Sequence, residues 1–350
     1  MEAFDTDISH APPELAALST ILKDHLRLNG RECCRLTGFC RKMGKSILEF
    51  SVFPIGSSHG DPRPYIGKVY RADRGRKGFE ALSLAWNAGF RPPSLFTVVR
   101  PVAYVPARFL LLQEKAPGRA VADIMFEEIR RGRLEVAAEA MEQTARWLAA
   151  FHSLAVAGNS RLEQIRTNLS RHQRELTEFL PDHAGRIERL CQECLARLQE
   201  RELMALVPSH GDFHPMNVFV AGDGRVTGID LDTFGLQERT ADVAYFLAET
   251  AIMGYHRLGS FDATAPARRH FLRSYCDAWR PVSSERLGLY LALTFLQSLF
   301  YDLCILHTGN KAMVEPWLTN SERCLDGSRS LLSDAQINRR TFRKLIEGEP

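Results

Sequence analysis

The chain has almost no excess charge of either sign: 45 Lys and Arg against 42 Asp and Glu leave a formal +3 over 350 residues. That is too little to argue for a nucleic-acid or anionic-membrane partner. A spaced cysteine framework is also missing. Of the eight cysteines, Cys33 and Cys34 adjoin and Cys40 lies nearby. Cys191 and Cys194 form a C-x-x-C inside a charged helical pattern, with no second ligand pair close in sequence. Two reduced helix cysteines explain that pair better than zinc does, and a cytoplasmic setting is the default expectation. Met1-Glu2-Ala3-Phe4-Asp5 is acidic and lacks the charged-then-apolar order of a secretory signal. No internal repeat or low-complexity tract is present.

Long apolar stretches are scarce. Only Leu287 to Leu306 reaches the roughly twenty residues that a bilayer requires. Asp302 and the Gln297-Ser298 pair interrupt it, and an ionised carboxylate in lipid costs about 2.5–3.5 kcal/mol, so the run predicts a central helix of a helical lobe. A true phosphate-binding P-loop is likewise absent. Gly38 to Ser46 imitates Gly-x-x-x-x-Gly-Lys-Ser but has five intervening residues instead of four. Context disagrees too, because a helix should follow, whereas Leu48, Phe50 and Val52 alternate as in a strand. The segment reads as a hairpin in a sheet. Arg41, Lys42 and Lys45 then read as exposed turn cations, and none is entered as a site.

What is present is an ordinary globular composition, 45% hydrophobic and 25% charged, with length enough for a substantial core. The pattern predicts a helical leader from Pro13 to Leu28, strands to about Gln113, and a mostly helical remainder, hence an α+β chain with parts 1–113 and 114–350. Val136 to His152 is amphipathic, with His152 a packed histidine. Ser160 to Leu206 is charged and helical, long enough to form part of a binding wall.

The most informative stretch is Ser209-His210-Gly211-Asp212-Phe213-His214-Pro215-Met216-Asn217, followed by Ile229-Asp230. Between Asn217 and Asp230 lie two β-branched runs separated by Ala221-Gly222-Asp223-Gly224, which supplies hairpin turn chemistry. If Val220 pairs with Arg225, Asn217 lies opposite Gly228 and Asp230 extends just beyond it. Strands spaced about 4.8 Å apart would let an amide oxygen and a carboxylate share one hard cation. Mg²⁺ suits a few such oxygens supplemented by phosphates and waters. Asp212 is then left to orient or deprotonate an attacking hydroxyl. An Asp, an Asn five positions on and a second Asp on the metal is the order used in kinase phosphoryl transfer. His210 and His214 read as loop-ordering hydrogen-bonders, since the other proposed ligands are oxygen donors.

These motifs resemble the paired motifs of the aminoglycoside phosphotransferase and choline kinase group, small-molecule relatives of the protein kinases. Thr240-Ala241-Asp242-Val243-Ala244 resembles the group's segment that supports the site from a helix. The resemblance implies a two-lobed protein-kinase-like fold with an antiparallel-sheet N-terminal lobe and a mostly helical C-terminal lobe. It further implies ATP as donor with GTP the alternative, Mg²⁺, and a small-molecule hydroxyl acceptor. Asp212 would be catalytic, Asn217 and Asp230 would bind metal, and Lys68 on the strand Pro64 to Tyr70 would clamp phosphate. Glu80, the only acid on the helical pattern Phe79 to Trp86, would hold Lys68. Glu114-Lys115-Ala116-Pro117-Gly118 would be the hinge whose backbone at Glu114 and Ala116 reads an adenine edge. Tyr245, Glu249, Tyr255, Trp279, Tyr301, Asp302 and Trp317 are available to recognise the acceptor, whose identity stays open among aminoglycosides, amino alcohols and sugars. The alternative function is a nucleotide-binding pseudokinase that acts through protein partners.

Overall fold

The computed structural model describes residues 2–7, 21–22, 24–26, 28, 32–42, 44–54, 62–156, 158–199 and 205–327. The chain divides into two compact units, Met1–Gly118 with Ala221–Phe234, and Arg119–Val220 with Gly235–Pro350.

The first unit is built on an antiparallel sheet. Its strands are β1 (Glu2–Asp7), β2 (Glu32–Lys42), β3 (Lys45–Pro54), β4 (Arg63–Tyr70), β6 (Pro101–Val105) and β7 (Leu110–Glu114), in the order β1-β2-β3-β4-β7-β6. A short β5 (Phe96–Val98) lies outside this sheet. The alternation read in Ser46 to Phe53 has its consequence here. Leu48, Phe50 and Val52 pack with Leu36, Cys34, Tyr65, Leu112 and Leu22 on one face, each such burial being worth about 1.5–3 kcal/mol. The strand content starts earlier than expected, since Glu2–Asp7 pairs with β2. Of the expected leader at 13–28, residues 21–22 and 24–26 are helical, and most of the rest lies outside the described residues.

Helix α1 (Gly75–Asn87) starts earlier than the helical pattern expected at Phe79 to Trp86, and its buried face is Gly75, Gly78, Ala81, Leu82 and Ala85. The segment 221–234 also belongs to this unit. Ala221 N–H donates to Arg225 O at 2.9 Å and Gly224 N–H to Ala221 O at 3.0 Å, with Gly224 at φ +81°. The turn therefore closes on Ala221 and Arg225, and the expected Val220–Arg225 pairing is off by one. A three-residue loop with glycine in the left-handed position is a preferred hairpin connection. The following strand, Val226–Gly228, runs parallel to β5.

The second unit is mostly helical: α2 (Val121–Arg130), α3 (Leu134–His152), α4 (Leu162–Phe179), α5 (Ala184–Gln199), α6 (Arg239–Leu258), α7 (Ala265–Ala278), α8 (Ser284–Phe300) and α9 (Val314–Asp326). Two short strands, Leu206–Ser209 and Gly235–Glu238, pair antiparallel. The stretch Ser284–Ile305 is long and apolar enough to cross a membrane by length and composition, yet 61% of its most apolar window is buried inside the protein. It packs against α6 and α9, the expected core helix. Its neighbour α4 stacks His172 on Phe300 with ring centroids 4.1 Å apart. The eight cysteines are free thiols. Burial pushes the Cys191 thiol up to about 12, which suits an inert core position.

Candidate active site

The sequence-predicted residues fall into two clusters, one in each unit. In the first unit, Lys68 stands on β4 between Ile47 of β3 and Leu111 of β7 and is 3% exposed. A buried ammonium needs a partner, and its Nζ donates to Asp230 Oδ1 at 2.8 Å. The expected partner, Glu80, is exposed. The reason is helical geometry: α1 turns positions 78, 81, 82 and 85 inward, and position 80 falls outside that stripe.

Asp230 follows the strand Val226–Gly228 and adopts φ +66°, a left-handed conformation rare for residues other than glycine and enriched in Asp and Asn. This turns its carboxylate toward two ammoniums. Besides Lys68, Lys45 Nζ lies 3.1 Å from Asp230 Oδ1 and 2.9 Å from Oδ2, and 2.9 Å from Asp232 Oδ2. Burial works to raise the Asp230 carboxyl, but the Lys68 and Lys45 ammoniums outweigh it and hold the group well below the usual carboxylate range. Lys45 is therefore no exposed turn cation, although Arg41 and Lys42 are exposed. The sheet explains the difference. Lys45 pairs with Tyr70 and Ile47 with Lys68, so Lys45, Tyr70 and Lys68 project from one face.

Asp232 completes this cluster. Tyr70 donates its phenol to Asp232 at 2.9 Å. A Cβ added to Gly78 would come within 2.5 Å of Asp232 Oδ1, so glycine at that turn of α1 is what lets the carboxylate approach. At the hinge, Glu114 N–H donates to Arg100 O at 3.0 Å and Lys115 N–H to Pro64 O at 3.1 Å. Among the described residues no hydrogen bond engages the Ala116 amide.

In the second unit the loop after Leu206–Ser209 carries Asp212. Tyr245 from α6 donates its phenol to Asp212 Oδ1 at 2.9 Å. Asn217 Nδ2 donates to Asp212 O at 2.9 Å and to Asp212 Oδ2 at 3.3 Å. With the amide nitrogen spent on Asp212, the Asn217 Oδ1 is the atom left to serve a cation. The loop is fixed from below by Asp242 of α6, 1% exposed. Its Oδ2 accepts from His210 N–H and its Oδ1 from Gly211 N–H, both at 2.8 Å. His152 Nε2 lies 3.1 Å from Asp242 Oδ2, and His152 Nδ1 lies 2.7 Å from the Tyr275 hydroxyl. Burial pushes the Asp242 carboxyl up, but the His152 hydrogen bond, with smaller contributions from His210 and the loop amides, holds it below its ordinary value. Phe213 is fully buried and stacks on Trp147 at 5.5 Å, anchoring the loop through its apolar side. His210 and His214 serve as loop-ordering groups, each accepting a backbone N–H two residues on through Nδ1.

Glu249, one helical turn beyond Tyr245, is pushed up to about 8 by burial and then by the neighbouring Asp212 and Asp302 carboxylates. Asp302 is raised as well, chiefly by burial. Some aromatics that might have caged an acceptor instead form core. Trp317 is fully buried among Tyr255, Phe261 and Phe295.

Against this geometry, a profile of the phosphotransferase enzyme family matches residues 48–284. The chain belongs to that family. No curated protein sequence matches it, but solved structures share its fold. One is the aminoglycoside phosphotransferase APH(4)-Ia, as a thermostable mutant in ternary complex with ADP and hygromycin B. It is 13% identical with a TM-score of 0.59, covering 90% of this chain and 99% of that one. The amicoumacin kinase hAmiN, in complex with AMP-PNP, Ca²⁺ and Ami, is 16% identical with a TM-score of 0.57, covering 83% and 88%. The choline kinase LicA from Streptococcus pneumoniae is 15% identical with a TM-score of 0.55, covering 89% and 99%. The chain is thus a phosphotransferase of the small-molecule kinase class, an α+β protein with an N-terminal antiparallel sheet and a mostly helical remainder.

Among the described residues, no three His, Cys, Asp or Glu side chains converge on a point that could hold a metal ion. The Asp230 and Asp232 oxygens fit a hard cation, since three of them already gather around one ammonium.

Proposed function

We propose that the protein is a cytoplasmic, Mg²⁺-dependent kinase that moves the γ-phosphoryl group of ATP, with GTP the alternative donor, to a hydroxyl of a small amine-bearing molecule. The observation that carries the reading is the environment of Asp212: a carboxylate on a loop clamped by Asp242, with one oxygen held by Tyr245 and the other by Asn217. Such a group is positioned rather than free, and positioning is most of what phosphoryl transfer asks of a protein.

Asp212 accepts the proton of the acceptor hydroxyl as its oxygen bonds to the γ-phosphorus. The bond from that phosphorus to the bridging β-phosphate oxygen breaks, and ADP leaves with the electron pair. A positioned base of this kind contributes about 10²–10⁴-fold. Lys68 binds phosphate oxygens and offsets the charge that gathers on the leaving group. Asn217 and Asp230 would hold Mg²⁺, with the Asp232 carboxylate beside Asp230, and the ion would neutralise charge on the phosphates. Glu114 and Ala116 offer main-chain groups to the adenine edge.

The amine on the acceptor follows from electrostatics in the second unit. Burial lifts the Glu249 carboxyl, the nearby Asp212 and Asp302 carboxylates lift it further, and an ammonium beside it would offset that repulsion. The structural relatives include a glucosamine kinase in complex with glucosamine and the choline kinase. The test is Mg-ATP phosphotransfer over a panel of aminoglycosides, choline-like amines, amino alcohols and neutral sugars, with Asp212→Asn as blank. Acceptor-dependent ADP release by the wild type alone supports the proposal. Equal background from both proteins across the panel refutes it, and turnover confined to neutral sugars refutes the amine.

A further inference from the structure

We propose that Lys45 is a second phosphate-binding cation, which in the nucleotide-free protein acts as the counter-ion of the Asp230 and Asp232 carboxylates and transfers to the triphosphate when the magnesium nucleotide binds. The inference rests on the kinase reading given above.

Three observations carry it. First, Lys45 is placed by design of the sheet: it opens β3, directly across from Tyr70 and two residues from the partner of Lys68. The preceding Gly44, at φ +78°, holds the hairpin turn, and its carbonyl accepts from Arg71 N–H at 3.2 Å. Second, its ammonium engages three carboxylate oxygens within 3.1 Å, one of them shared with Lys68. Two lysines thus balance two aspartates. Third, the two lysines are unequally held. The Lys68 side chain is 4% exposed in mid-sheet, whereas that of Lys45 is 17% exposed at a strand end, with a flexible four-carbon stem.

A hard divalent cation on these oxygens would directly face an ammonium bound to the same atoms. Like charges at that range repel strongly in a partly buried site, so the metal and Lys45 compete. The metal arrives with phosphates, and these give the displaced ammonium its new partners. Bringing in the divalent ion without nucleotide leaves Lys45 with none. Lys45 therefore disfavours metal binding alone and favours metal with nucleotide.

The test measures two affinities in Lys45→Met, Lys45→Arg and wild type: Mn²⁺ alone by electron paramagnetic resonance, and Mg-AMP-PNP by titration calorimetry. Loss of one charge-assisted contact predicts Mg-AMP-PNP binding about ten- to a hundredfold weaker in Lys45→Met, with Lys45→Arg near wild type. Mn²⁺ alone should bind severalfold more tightly to Lys45→Met. Unchanged nucleotide affinity in Lys45→Met overturns the phosphate role, and Mn²⁺ affinity that is unchanged or weaker overturns the counter-ion role. Should Lys45→Met fail to fold, Lys45→Gln carries the same contrast. Failure of the wild type to bind Mg-AMP-PNP would sink the kinase reading itself, which is a different outcome from wild-type binding that Lys45→Met leaves unaltered.

Discussion

Replacing Asp242 by Asn probes how the loop that carries Asp212 is held. The carboxylate accepts from His210 N–H and Gly211 N–H at 2.8 Å each and meets His152 Nε2 at 3.1 Å. Hydrogen bonds to a charged group contribute about 1.5–3 kcal/mol each. An Asn amide keeps one acceptor oxygen but turns its NH₂ toward a backbone donor, so at least one of the two loop contacts becomes donor against donor. A loss of roughly 3–5 kcal/mol follows, the range typical of breaking a buried charged contact. At about 2–4 °C per kcal/mol for domains of this size, the melting temperature should fall by roughly 6–20 °C. Misplacing the loop should lower kcat about a hundredfold. Trp147, whose ring packs against Phe213 and His210, is a fluorescence reporter of the same loop. The pH dependence has a defined sign. The Asp242 carboxyl is held below its ordinary value in the folded protein, so its stabilisation is fully present above the unfolded value near 3.9 and is lost as pH falls through the folded one. The gap between wild type and Asp242→Asn should be constant from pH 5 to 8 and close under more acidic conditions. Wild-type melting of the variant at pH 7, or a gap that widens on acidification, would refute the reasoning.

Three further expectations follow from the same contacts. Tyr245→Phe removes the donor to Asp212 Oδ1 and should lower kcat about tenfold, the worth of one hydrogen bond to a charged group, with little change in nucleotide affinity measured by calorimetry. Burial and then the neighbouring carboxylates push Glu249 up to about 8, and a cationic acceptor favours its charged form. Acceptor KM should fall as pH rises through that value for a quaternary amine and stay flat in Glu249→Gln; an identical profile in both proteins would exclude Glu249 from recognition. Gly78→Ala improves helix propensity by about 1 kcal/mol but drives a methyl into Asp232, an overpacking cost of about 1–3 kcal/mol. The expected result is no gain in melting temperature and weaker Mn²⁺ binding; a stabilised variant with wild-type metal affinity would show that Asp232 moves aside freely.

Much of the donor chemistry was legible because it is written locally. Asp212 and Asn217 lie five residues apart on one loop and do meet through hydrogen bonds, and the buried strand Pro64 to Tyr70 marked Lys68 as an ammonium in need of a partner. The identity of that partner was not legible. Glu80 was chosen as the only acid on its helix, but which helical stripe faces inward depends on what packs against it, and Gly78 and Ala81 took the inner face. Local pattern makes Lys45 an exposed turn cation, because a cation beside a glycine turn is usually solvated. Its engagement with Asp230 spans 185 positions in sequence, and no local pattern encodes a contact of that separation.

The sequence by itself determined most element types and the family, because periodicity, turn chemistry and short-range motifs act over a few residues. Tertiary structure alone decided how those residues are held. Strand register put Lys45 across from Tyr70 and beside Lys68, the left-handed backbone at Asp230 turned its carboxylate onto both lysines, and the buried Asp242 tied the loop that carries Asp212 to α6. Each of these is a long-range contact whose partners are chosen by sheet pairing and packing, and only a folded chain makes that choice.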